Sequence, residues 1–186
     1  MASHDAELLA VAEKLLSREP SRRGQLPRAR VRRSVSTAYY ALFHFLLEEV
    51  GRKIVGTHGN LLERRRILAR AITHKGAKDT LDKVRGARIH ASVDDFLKPL
   101  NAAGGMAGAP PFVRSFANAF IDAQAKRHEA DYDLNANLSE SDAKLLAARA
   151  KHEIQAWRAA TSDADRDFKH ALCILLVLTG KWRPEA

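Results

Sequence analysis

Residues 27–51 read PRARVRRSVSTAYYALFHFLLEEVG, and this stretch decides the fold. Its apolar residues recur at helical spacing: Val31, Val35, Ala38, Tyr39, Leu42, Phe43, Phe45 and Leu46 make one broad face. Pro27 suits a first-turn position, where a missing N–H costs nothing. Gly51 suits the end. The pattern predicts a helix from about Pro27 to Val50. Arg33, Thr37, Tyr40 and His44 fall together on the opposite side at i, i+4, i+7 and i+11, so they form one polar stripe.

The same periodicity continues in both directions. His4 to Ser17 carries Leu8, Leu9, Ala12, Leu15 and Leu16 on one side, and a linker with Pro20, Gly24 and Pro27 follows. Beyond the central helix, Asn60 to His74 is amphipathic and very basic, Ala77 to Val84 is a weaker helix, and Val93 to Leu97 suits a short one. Residues 100–111, LNAAGGMAGAPP, read as a flexible loop. A further helix spans Pro111 to Tyr132. Ser139 with Asp142 resembles a capping box opening a helix to about Ala159, and Trp157 extends its packing stripe. Ser162 opens the last helix, with Asp163 and Asp165 in its first turn, and Gly180 closes it. No run alternates like a strand. The expected architecture is all-α: one domain over residues 1–186, a helical bundle of four to five main helices.

Charge narrows the partners. Of a formal net charge of +9, residues 1–90 carry 19 Lys and Arg against 9 Asp and Glu, whereas residues 91–186 carry 12 against 13. The excess is mostly arginine, whose guanidinium suits bidentate phosphate contacts. A basic half beside a neutral half is either a solvated surface or an electrostatic footprint for nucleic acid or another polyanion, and RNA or a nucleotide is the expected partner. The one cysteine, Cys173, makes neither a disulfide framework nor a Cys-based zinc site and fits a reducing compartment, so a cytoplasmic location is expected. Met1 to Ala12 does not read as a secretory signal. The most apolar run, Ala171 to Leu178, is far below the ~20 residues that span a bilayer, so no membrane partner is expected. No histidine pair at i, i+4 with a carboxylate, no phosphate-binding glycine loop and no nucleophile elbow occurs. Neither a metal nor a cofactor is expected.

The helix from Pro111 holds the sharper signal. Its apolar stripe is Phe112, Phe116, Ala119, Phe120 and Ala123, and the same stripe then presents Arg127, Ala130 and Asp131. A charge continuing a core stripe needs a partner. Asp131, at i+4, is placed to pair with Arg127 and orient it. Either the helix outruns the core here and the pair is exposed or merely structural, or it marks a polar site at one end of the bundle or at a dimer seam.

Arg33-Ser-Val-Ser-Thr-Ala-Tyr-Tyr-Ala-Leu-Phe-His44 resembles the signature second helix of HEPN-domain proteins. Arg127-His-Glu-Ala-Asp-Tyr-Asp133 resembles the R-x-x-A-D-Y segment of one branch of that superfamily. The resemblance covers roughly residues 5–180. It implies a helical bundle, frequent homodimerisation, and roles in RNA cleavage, toxin–antitoxin pairs or phage defence. In members that cleave RNA, an arginine steadies the phosphate and a histidine after four to six intervening residues assists proton transfer at the ribose 2′-hydroxyl, without a metal. The resemblance makes Arg127, Asp131 and Tyr132 the candidate catalytic residues and Arg33, Tyr40, His44 and Arg127 the candidate RNA- or nucleotide-binding residues. This chain departs from the pattern: Tyr132, Asp133 and Leu134 stand five to seven residues after Arg127, where no histidine occurs. A phenol donates a hydrogen bond but is a poor proton acceptor near neutral pH. Arg85 and His90 have the required spacing, but they lie in a glycine-interrupted stretch outside the expected helix. Two function classes follow. One is an RNA- or nucleotide-binding protein of a toxin–antitoxin or defence system, with metal-independent endoribonuclease as its enzymatic form. The other is a non-catalytic dimeric module that holds a protein partner, such as a cognate antitoxin or a nucleotidyltransferase-like protein.

Overall fold

Side chains that accept from otherwise unbonded N–H groups start several of the helices. Ser162 Oγ accepts from Asp165 N at 3.1 Å while Asp165 Oδ2 accepts from Ser162 N at 3.3 Å, a capping box. Ser139 and Asp142 make the same reciprocal pair at 3.0 and 3.3 Å, with Asp in the role usually taken by Glu. Thr73 Oγ1 accepts from Gly76 N at 3.0 Å.

The computed structural model describes residues 3–17, 26–102 and 108–178. Its helices are α1 (His4–Leu16), α2 (Arg28–Ile54), α3 (Leu62–Arg70), α4 (His74–Val84), α5 (Ala91–Ala102), α6 (Pro111–Tyr132), α7 (Glu140–Ala159) and α8 (Asp163–Val177). The chain is all-α, with no strand among the described residues. Eight α-helices lie among the described residues, where four to five main ones are expected. No described helix is long and apolar enough to cross a membrane.

Several boundaries differ from the sequence reading. Pro27 precedes α2, its carbonyl accepting from Arg30 N and Val31 N, so it is the cap and not the first turn. Helix α2 runs through Gly51 to Ile54. The terminating glycine is Gly56, at φ +103°, a conformation that favours glycine. Gly51 serves packing: a Cβ there would stand 3.2 Å from Arg65 Cβ. The stretch from Asn60 opens with a 3-10 turn, Gly59–Leu61, before α3, and α5 extends past Leu97 to Ala102. The expected linker at residues 18–25, the loop centre at 103–107 and Gly180 lie outside the described residues.

The chain divides into two units, Met1–Phe45 with Ala119–Gln155, and Leu46–Asn118 with Ala156–Ala186. Helices α2, α6 and α7 contribute residues to each. The first unit is a closed four-helix arrangement. Ser34 Oγ on α2 donates to Ala12 O on α1, and Tyr39 on α2 meets Phe120 on α6 edge-on at 5.5 Å. Arg149 on α7 pairs with Asp122 on α6, and Lys151 on α7 pairs with Glu13 on α1. In the second unit α4 and α5 pack on α8, and Leu81, Leu97, Leu172 and Leu176 are buried. Trp157, fully buried, packs against Phe112 and Phe116 with ring centroids 5.5 and 5.0 Å away.

Candidate functional site

Small polar residues on α2 bring its neighbours close. Ser34, Ser36 and Thr37 are buried, and each hydroxyl has an acceptor: Ala12 O, Asp131 Oδ1 at 2.5 Å and Arg33 O at 2.7 Å respectively. The polar stripe is therefore buried at Thr37, because a hydroxyl that returns to its own helix carbonyl can be covered at little cost.

One turn further along α2, Tyr40 meets Arg127 of α6. The guanidinium carbon lies 5.6 Å from the Tyr40 ring centre and 5.6 Å from that of Tyr132, so the cation sits between two phenols. Arg127 Nη2 donates to Tyr40 Oη at 3.3 Å. Its Nε lies 2.6 Å from Asp131 Oδ2, an ion pair by distance in which the buried Nε–H has no aligned acceptor. The Tyr40 hydroxyl and the two rings orient the guanidinium, and Asp131 supplies countercharge. Only 18% of the Arg127 side chain and 29% of the Asp131 side chain are exposed. Burial pulls the Arg127 pKa down, but Tyr40, Asp131 and Tyr132 more than offset it, so the guanidinium is held firmly charged. Beneath this layer Tyr39 is fully buried, which pushes its phenol pKa well up, against the opposing pull of Arg127.

Four of the residues singled out in the sequence thus come together: Tyr40, Arg127, Asp131 and Tyr132. His44 lies next along α2, its ring 6.3 Å from that of Tyr40. Arg33 is exposed one turn before Ser36, and its guanidinium makes no hydrogen bond or ion pair among the described residues. Three residues outside the candidate set, Ser36, His4 and His128, also lie here. Ser36 anchors Asp131 from α2. The His128 ring meets the Tyr132 ring at 4.9 Å, and the His4 ring meets that of His44 edge-on at 4.8 Å. The i, i+4 spacing of His128 and Tyr132 made their meeting legible. His4 and His44 are distant in sequence and carried no signal.

Part of the arginine excess has a different use. Arg30 Nη2 donates to Lys14 O and Ser17 O at the end of α1, and Arg32 Nη2 donates to Glu129 O and Asp133 O at the end of α6. Both cap helix C-termini, where carbonyls lack partners and the dipole favours cations. In the other unit, Arg65 Nη1 donates to Gly56 O at 2.9 Å. Arg85 is paired with Asp82 at 2.6 Å, and His90 Nδ1 lies 2.9 Å from Ser92 Oγ. Among the described residues no cluster of His, Cys, Asp or Glu is arranged to hold a metal ion. No protein-family model, curated protein or solved structure matches this chain.

Proposed function

We propose that this chain is a HEPN-like RNA-binding protein of a toxin–antitoxin or defence system, and that Arg127 receives an RNA phosphate. The observation that supports this reading most is the held guanidinium. Arg127 is fixed by two rings and a hydroxyl, yet only one of its several N–H donors has an aligned protein acceptor among the described residues. A preoriented arginine with donors to spare suits a phosphate. Arg33, exposed on the same stripe of α2, is a second phosphate contact. In solution the protein forms a homodimer on this reading.

RNA affinity measured by fluorescence polarisation across a salt series tests it. Wild type is expected to bind with steep salt dependence. Arg127→Ala is expected to bind about 10-fold more weakly, with a salt slope smaller by about one. Incubating a mixed RNA pool with both proteins in chelator decides whether chemistry follows binding. Cleavage lost in Arg127→Ala, with the fold intact, makes this a metal-independent ribonuclease without the usual histidine.

One observation favours the alternative, a non-catalytic module that holds a protein partner. Helix α3 buries no residue. Ile67 is 58% exposed between Arg64 and Arg70, and Leu62 is 46% exposed one turn before Arg66. Aliphatic residues among arginines, without lysine, suit a protein interface more than a phosphate backbone. Absence of any salt-sensitive RNA binding by wild type puts this reading first.

A further inference from the structure

We infer that a row of rings around Arg127 is a stacking platform for the bases of unpaired RNA; the inference rests on the reading of Arg127 as a phosphate site. The row crosses three helices. It starts at His4 on α1, whose ring centre is 4.8 Å from that of His44 on α2. His44 lies 6.3 Å from Tyr40, and Tyr40 lies 5.6 Å from the Arg127 guanidinium on α6. Arg127 lies 5.6 Å from Tyr132, and Tyr132 lies 4.9 Å from His128. Every step is a ring or cation contact, and all six residues belong to the first unit.

Core packing does not account for these rings. His4, Tyr132 and His128 are exposed, and His44 and Tyr40 are half-buried. The core beneath them is a separate layer. Tyr39, Phe43 and Phe120 are buried, with Tyr39 stacked on Phe43 at 6.2 Å and Phe43 edge-on to His44 at 6.1 Å. The inner layer holds the outer one in place, which reduces the ordering cost when a ligand stacks on it.

Aromatic rings and guanidinium planes are the surfaces on which splayed RNA bases stack, because every base has a π-face. In a duplex those faces are already occupied by neighbouring bases. The charges along the row divide the labour. Phosphate is drawn to Arg127 and to Arg33. His4 Nδ1 stands 3.7 Å from Glu7 Oε2, and that carboxylate repels phosphate, so the His4 end takes a base.

The test compares three labelled oligomers of about twelve units, long enough to cover the row: oligoadenylate, an RNA duplex, and a ribose–phosphate oligomer without bases. Full-length wild type is expected to bind oligoadenylate at least about 10-fold more tightly than either of the others. His4→Ala and His128→Ala, both changes at exposed positions, are each expected to weaken oligoadenylate about 5-fold or more and to shrink its advantage over the base-free oligomer. Equal affinity for oligoadenylate and the base-free oligomer overturns the platform and leaves the phosphate site standing. Equal affinity for oligoadenylate and duplex overturns it as well. If none of the three binds, the phosphate site and the platform fail together.

Discussion

Trp157→Ala is expected to lower the free energy of unfolding by about 3–5 kcal/mol, seen as a lower urea midpoint. Three separate contributions meet at this side chain. The indole is fully buried against Phe112 and Phe116, so truncation leaves a cavity lined by aromatic rings that cannot collapse into it. Its Nε1 donates to Glu49 Oε2 at 3.2 Å, and removal takes that bond from the carboxylate. It is also one wall of the seat for Lys169. This lysine is 5% exposed, its Nζ lies 5.1 Å from the Phe112 ring and 5.7 Å from the Trp157 ring, and it donates to Trp157 O and Ala160 O at the end of α7. Burial pulls the Lys169 pKa down, with Glu49 opposing it. Without the indole, the ammonium keeps its two carbonyls but loses a cation–π face, in a site where desolvated charge is costly. A midpoint shift worth less than about 1 kcal/mol would mean that this side chain is not the keystone of its unit.

Asp131→Ala is expected to move stability and RNA affinity in opposite directions. The Arg127 guanidinium would stay charged and mostly covered without its countercharge, and Ser36 would lose its acceptor. Together these are worth about 1–3 kcal/mol of stability, measured by chemical denaturation. RNA affinity should rise several-fold, because a negative charge a few ångströms from the proposed phosphate site is gone and such a pair is worth about 1 kcal/mol or more near a protein surface. The guanidinium keeps its direction, since Tyr40 and the two rings hold it. A 10-fold fall in affinity would instead make Asp131 the residue that aims Arg127. No change in affinity would make the Arg127–Asp131 pair structural and count against the phosphate site.

Local order was legible before any fold was known, because it depends on neighbours three and four residues away. The capping box at Ser139, the helix start at Ser162, the span of α6 from Pro111 to Tyr132, the aromatic stripe through Phe116 and Phe120, and the pairing of Arg127 with Asp131 all obey helical spacing. So does the all-α class. The uses of the individual arginines were not legible. In sequence Arg30, Arg32, Arg33, Arg64 and Arg65 are alike. Packing makes Arg30 and Arg32 caps on the ends of α1 and α6, lays Arg65 across Gly51 onto Gly56 O, and leaves Arg33 and Arg64 exposed. The site divides in the same way. Arg127 and Asp131 are one helical turn apart and find each other locally, whereas the contact of Tyr40 with Arg127 spans 87 positions and that of Ser36 with Asp131 spans 95. Helical periodicity determines which residues share a face. Which face meets which, and so whether an arginine closes a helix end or is left exposed, follows only from tertiary packing, because burial and distant carbonyls set the environment of a long, flexible cation.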